Sequence, residues 1–188
     1  MPADLTGAKF YNKEITRVNF SGAILRYANF GSPASPESNP FPTVISETIF
    51  DDSNLDGITI DNTILQNNSF LRSSLNTDCR HMRSSSDAKL NNNCVRWTHV
   101  IFRGKNNFGG VDLLNSSWIA VQFFADENGN KTDFTDANLE GVQFTDNPVP
   151  LPDVWKILSA DSAVLNNVIL CRTRLTSGKS DRDCSASK

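Results

Sequence analysis

Four cysteines, Cys79, Cys94, Cys171 and Cys184, offer the widest range of chemistry in this sequence. None forms a C-x-x-C pair, and the two histidines, His81 and His99, share no metal-ligand spacing. In an oxidising compartment four cysteines imply two disulfides with three connectivities open, whereas in the cytosol they are four reduced thiols. Cys79 and Cys94 flank a basic stretch and could clasp it. That stretch, with Arg80, His81, Arg83, Arg96 and Arg103, is the candidate cationic patch for an acidic partner or a membrane surface. The competing expectation is internal charge balance, each Arg facing an Asp. Asp52-Ser53-Asn54-Leu55-Asp56-Gly57 copies the start of a calcium loop, but its twelfth position is Thr63, where the motif needs a bidentate glutamate. Asp126-Glu127-Asn128-Gly129 is the better loop for a weak cation. No nucleophile elbow supports a Ser-His-Asp triad, and no glycine-rich nucleotide loop occurs. The expectation is therefore a non-enzyme with no catalytic residues, no metal and no cofactor.

The elements that position these residues follow a single rhythm. Every fifth residue from Leu5 is large and apolar: Leu5, Phe10, Ile15, Phe20, Leu25 and Phe30. The series resumes at Phe50, Leu55, Ile60, Leu65, Phe70 and Leu75, and again through Phe108, Leu113, Trp118 and Phe123. Phe134, Leu139 and Phe144 follow, then Leu165, Leu170 and Leu175, with less regular turns at Leu90, Trp97 and Phe102. A period of five is neither the 3.6 of a helix nor the 2 of a strand. At 188 residues, with 38% hydrophobic and 21% charged content, the chain is one soluble domain spanning 1–188. No stretch approaches the roughly 18 apolar residues of a membrane helix, and residues 1–30 show no signal peptide, although a targeting segment could have been removed before residue 1.

Ala28-Asn29-Phe30, Ser53-Asn54-Leu55, Thr132-Asp133-Phe134 and Ala137-Asn138-Leu139-Glu140-Gly141 resemble the A-(D/N)-L-x-x unit of the pentapeptide-repeat family. The resemblance covers roughly residues 3–175 outside the loops. It implies an all-β fold, a right-handed quadrilateral β-helix with one pentapeptide per side and four per coil. About six such coils make a rod of roughly 30 Å, at ~4.8 Å per coil. The central Leu or Phe should point into the axis. The residue two earlier should also face inward, near a corner where only Ala, Ser, Thr or Val fits, and the other three positions should face water.

Four insertions break the rhythm, near 31–44, 76–87, 125–131 and 145–162, and a tail follows at 176–188. The first is rich in Pro and Ser, the third holds the Asn128-Gly129 turn signal, and the fourth predicts a short helix near 152–158. Ile169-Leu170-Cys171-Arg172-Thr173, a later Gly178 and Cys184 resemble the closing motif of cyanobacterial members, with Leu175-Thr176-Ser177 replacing the usual Met-Pro-Asp. That likeness implies a Cys171–Cys184 bridge fastening the tail, and with it a periplasmic or thylakoid-lumen protein, the cytoplasm being the alternative.

Charge alternates in blocks. Residues 27–71 hold six acids and no base, 72–105 seven bases and two acids, and 106–163 nine acids and two bases. If chain order maps onto height, the middle block forms a positive belt. The functional expectation is a structural or interaction scaffold with another protein as partner and nucleic acid disfavoured. Weak self-association through the uncapped first coil is a further expectation. The alternative implied by the gyrase-protecting branch of the family is DNA-mimic binding to a type II topoisomerase such as DNA gyrase, for which the acidic blocks look too broken.

Overall fold

The computed structural model describes residues 1–10, 13–31, 42–75, 95–114, 116–145, 163–170, 173–175 and 178–180. Backbone pairing sets the repeat unit. Asp4 bridges Ile24, Lys9 bridges Asn29, and Glu14 and Asn19 pair with Val44 and Ile49, all in parallel. The Leu5 N–H donates to the Ile24 carbonyl at 2.7 Å, and the Ile24 N–H donates back to Ala3 at 2.9 Å. Four pentapeptides thus complete one coil, and each coil hydrogen-bonds to the next as parallel strands do.

The strands, in chain order, are β1 (Glu14–Thr16), β2 (Thr43–Ser46), β3 (Thr59–Gln66), β4 (Arg96–Arg103), β5 (Ser117–Ile119), β6 (Gln122–Phe124), β7 (Thr132–Asp133), β8 (Gln143–Thr145), β9 (Ala163–Val164), β10 (Thr173–Leu175) and β11 (Gly178–Ser180). They line up on four sides, each named by its inward column. Side one carries Leu5, Leu25, Leu55, Leu75, Leu113, Leu139 and Leu170. Side two runs from Phe10 and Phe30 through Ile60, Trp97 and Trp118 to Phe144. Side three carries Ile15, Ile45, Leu65, Phe102 and Phe123. Side four carries Phe20, Phe50, Phe70, Phe108, Phe134 and Leu165. The fold is an all-β, four-sided solenoid of six coils with the start of a seventh. On side two, β11 turns back antiparallel onto β10, so a return strand covers the end of that sheet.

The axis is solid. Leu25, Leu65, Trp97, Phe102, Phe108, Phe134 and Leu139 are fully buried. Successive rings on side four stack face to face, with centroids 5.3, 4.8, 4.6 and 5.1 Å apart from Phe20 to Phe134. That spacing is the inter-strand distance itself, so the backbone ladder places the rings at near-ideal contact. Trp97 on Trp118 (4.8 Å) and Phe102 on Phe123 (4.9 Å) repeat the arrangement on sides two and three.

The corners are built by two devices that the repeat centres do not reveal. Among the described residues, the one two after the centre adopts positive φ at every corner but that after Phe123, whether glycine, as at Gly7 (70°) and Gly141 (68°), or not, as at Arg17 (57°), Asp52 (57°) and His99 (52°). This explains the Gly and Asn at that slot, which reach the left-handed region at least cost. The residue before each centre closes the turn when it is Asn or Asp. Its carboxamide or carboxylate oxygen accepts the N–H two residues on, as Asn29 does from Gly31, Asn54 from Asp56 and Asp133 from Thr135. The D/N preference of the repeat is therefore a turn requirement, and these side chains are not simply solvated.

The expected restriction at the slot two before the centre is corrected by the structure. Ile58, Asn68 and Asn106 occupy it, at 0%, 1% and 0% exposure. The two asparagines belong to a buried ladder along the corner between sides three and four. There the Thr48 N–H donates to Asn68 Oδ1 (3.0 Å) and the Asn68 N–H to Asn106 Oδ1 (3.2 Å). Asn68 Nδ2 also reaches the Ile45 carbonyl (2.9 Å), and Asn106 Nδ2 reaches Leu65 (3.2 Å) and Arg103 (3.0 Å). A polar side chain larger than Thr fits because it bonds both neighbouring coils.

Insertions leave at corners. The first follows Gly31, whose Cα sits so close to coil three that a Cβ would run into the Asp61 backbone carbonyl. The third is the turn at 126–130, with Gly129 at φ 78°. Most of the first insertion, all of the second, the short helix near 152–158 and all but the start of the fourth insertion lie outside the described residues.

Candidate functional site

Because the axis is filled, functional chemistry is confined to the outer sides. All four cysteines, and Arg80, His81 and Arg83 of the expected patch, lie outside the described residues. Arg96 opens β4 on side two, between Thr59 and Ser117 in register. Arg103 closes β4 on side three and is exposed, as is Lys105 beyond it. The two arginines therefore stand on neighbouring sides of coil four.

Where ion pairs form, they run between coils. Arg72 grips Asp52 of the coil before it with two hydrogen bonds of 2.7 Å, and Arg17 lies 3.6 Å from Glu47. The hydrogen bond from Arg72 holds the Asp52 carboxyl below the ordinary aspartate range. Both pairs are largely exposed, so they set charge pattern more than stability. His99 Nδ1 stands 3.4 Å from Asp61 Oδ1, both half-buried at the corner after side two.

The two cation candidates are spoken for. In the calcium-like stretch, Asp52 faces Arg72 while Asp56 accepts from Ser74 Oγ at 2.6 Å on another side, so their carboxylates diverge. In the loop, Asp126 accepts from the Asn130 side chain (2.8 Å) and from the N–H groups of Asn130 and Asn128, which lower its pKa. Among the described residues no group of three His, Cys, Asp or Glu side chains could hold a metal.

Charge sorts by side. Among the described residues, Asp56, Asp112 and Glu140 lie on side one together with Asp4, against Arg26. Asp51, Asp52, Asp133 and Asp136 lie on side four against Arg72, which Asp52 already engages. Lys9, Arg17, Arg96 and Arg103 are on sides two and three, with Glu14, Glu47 and Asp61. At coil four, sides one and four present Ser74, Asn107, Gly109 and Gly110. Among the described residues the coil-four bases therefore stay off the acidic half of the rod. Chain-order blocks hid this arrangement. Grouping the repeat centres by fours, with insertions subtracted, is the sequence signal that exposes it.

A family model described as pentapeptide repeats matches the chain in eight copies, with residues 3–32 matched. Similar solved structures include HetL, a pentapeptide repeat protein involved in heterocyst differentiation regulation from the cyanobacterium Nostoc sp. strain PCC 7120. The identity is 15% over 95% of this chain and 64% of that one, with a TM-score of 0.32, so the chain spans less than two thirds of HetL. Rfr23 from the cyanobacterium Cyanothece 51142 is 14% identical over 96% of this chain and 88% of that one, with a TM-score of 0.22. QnrB1, a plasmid-mediated fluoroquinolone resistance protein, is 15% identical over 89% of this chain and 86% of that one, with a TM-score of 0.23. No curated protein matches the chain. No helix among the described residues is long and apolar enough to cross a membrane. With the family's repeat matched at the start of the chain, and the same five-residue step carried in parallel register from Asp4 to Ile169, the chain belongs to the pentapeptide-repeat family.

Proposed function

We propose that the chain is a non-catalytic interaction rod whose acidic half, sides one and four, meets a basic surface on a partner protein. One observation carries this reading: the carboxylates of Asp51, Asp112, Asp133, Asp136 and Glu140 share two adjacent sides of a scaffold with a solid axis. A rigid display of one sign of charge steers association and sets specificity at little entropic cost, whereas a substrate site calls for a concave pocket. Affinity capture with the intact chain and with Asp133→Asn, Asp136→Asn and Glu140→Gln combined tests it. The reading expects a salt-sensitive partner that the triple variant loses while keeping its melting temperature. A partner set indifferent to the triple variant and to salt contradicts it.

The same acidic half supports a second reading, in which it stands in for DNA phosphates on a type II topoisomerase such as gyrase. Inhibition of gyrase supercoiling by the intact chain, lost in the triple variant, separates it from the first. The cationic side chains Arg80, His81, Arg83, Arg96 and Arg103 are proposed as a secondary patch of opposite sign. An extracytoplasmic home with Cys171–Cys184 and Cys79–Cys94 bridges completes the proposal.

A further inference from the structure

Side three carries an unbroken run of aliphatic side chains in the row just before the repeat centre. On sides one, two and four that row includes Asp4, Asn19, Asn29, Asn54 and Asn107, which close their turns by accepting the N–H two residues on, interspersed with Lys9, Ile24, Ile49, Thr59, Val164 and Ile169, which do not. Among the described residues the row on side three reads Glu14, Val44, Ile64, Ile101 and Gln122, and none of these side chains accepts the N–H two residues on. The corner geometry does not excuse the difference, since Arg17, Glu47, Asn67 and Gly104 after these centres take the same positive φ as elsewhere. Three outward aliphatic side chains, each half-buried, thus stand in line on three consecutive coils, where the other sides carry such residues singly.

The row is also nearly palindromic: polar, Val, Ile, Ile, polar, centred on Ile64. A two-fold axis through Ile64, parallel to the strands, would turn a second copy antiparallel and lay coil two on coil four. Val44 then meets Ile101 of the second copy, Ile64 meets itself, and Glu14 meets Gln122. Arg103 falls beside Ser46 and Glu47 of the other chain, so opposite charges meet at the rim. Self-complementarity under a dyad is what an isologous interface requires. From this pattern we infer that side three is a homodimer surface, formed by two copies packed antiparallel about Ile64. It lies away from the acidic half, so both surfaces can be occupied together. Five coils of about 4.8 Å and three extended residues of about 3.3 Å make a flat contact on the order of 24 by 10 Å. That is small beside the roughly 1,200 Å² total of a stable interface, so the dimer is weak and concentration-dependent.

Sedimentation velocity on the full chain from micromolar to millimolar concentration tests the inference, with melting curves to establish folding. The intact chain should pass from monomer to dimer. Ile64→Lys, which sets two like charges face to face at the dyad, should raise the dissociation constant at least tenfold, and so should Val44→Lys alone. Combining Val44→Lys with Ile101→Glu places opposite charges across the interface and should restore a dimer that is now salt-sensitive. Asn166→Lys, on side four, should change nothing. A chain that stays monomeric at millimolar concentration would overturn the inference and leave the aliphatic row as a β-propensity effect. So would association that survives Ile64→Lys, as two copies meeting at their first coils would show, or a double variant that fails to recover. If Ile64→Lys unfolds, Ile64→Thr replaces it, with weakened association expected and unchanged association refuting.

Discussion

Asn106 and Asn107 are adjacent and chemically identical, yet the fold assigns them opposite roles, so substituting each tests the account at single-residue resolution. Asn106 points inward at 0% exposure. Its Oδ1 accepts from the N–H and side-chain amide of Asn68 at 3.2 and 3.1 Å, while its Nδ2 donates to Leu65 and Arg103 at 3.2 and 3.0 Å. Asn106→Leu keeps the branched four-atom shape and removes these four bonds and the 3.5 Å one from Nδ2 to Thr132 Oγ1, leaving the buried Asn68 N–H without its acceptor. An orphaned buried donor costs about 1–3 kcal/mol and each other lost bond about 0.5–1.5. Allowing about 1 kcal/mol back for added apolar burial, the loss comes to about 2–8 kcal/mol, a large share of a typical 5–15. At about 2–4 °C per kcal/mol the melting temperature should fall by roughly 4–32 °C. Asn107→Ala removes one turn-closing bond, to the Gly109 N–H at 2.9 Å, on the half-buried outer row. It should cost about 1 kcal/mol. Urea unfolding of the three proteins side by side is the assay. Equal losses, or a larger loss for Asn107→Ala, would refute the buried ladder.

Four further outcomes follow from the same geometry. Leu139→Asp puts an unpaired charge on the axis and should prevent stable folding, whereas Glu140→Lys, one residue on and outward, should shift stability by well under ~1 kcal/mol; similar melts would refute the register. Among the described residues Trp97 Nε1 finds no acceptor, while Trp118, one coil on, donates to Ser116 Oγ at 2.6 Å from the slot that Val95 fills for Trp97. Val95→Thr should therefore stabilise by up to about 1 kcal/mol, and a clear loss in thermal unfolding would contradict that reading. Because Arg72 lowers the folded pKa of Asp52, their contribution is present at neutral pH and lost as pH falls below about 4. The stability gap between the intact chain and Arg72→Gln should accordingly shrink between pH 5 and pH 2, and a gap that widens would refute it. Thiol titration of the unfolded, unreduced chain should find none of the four cysteines reactive if the proposed bridges form; four reactive thiols would remove them.

The repeat centres were legible because a five-residue step survives insertion. After each insertion the inward column resumes in register, as from Phe30 to Ile45 and from Leu75 to Trp97. What could not be read was anything set by contacts between coils. Asn68 and Asn106 look like surface residues in sequence, and only stacking 38 residues apart reveals one as the other's acceptor. Likewise Phe102 to Phe108 spans one residue too many for the rhythm, because the chain bends through Gly104 and Lys105 before the inward Asn106. The acidic half was hidden for the same reason. Asp112 and Glu140 stand 28 residues apart yet share a side, while Asp52 and Asp56 are four apart and do not.

The most direct test of the interaction-rod account is carboxylate footprinting of the chain, free and with a captured partner, read by mass spectrometry. The account predicts that Asp112, Asp133, Asp136 and Glu140 lose reactivity on binding while Glu14 and Glu47, on side three, keep theirs. Protection confined to Glu14 and Glu47, or reactivity unchanged at all six, would contradict it.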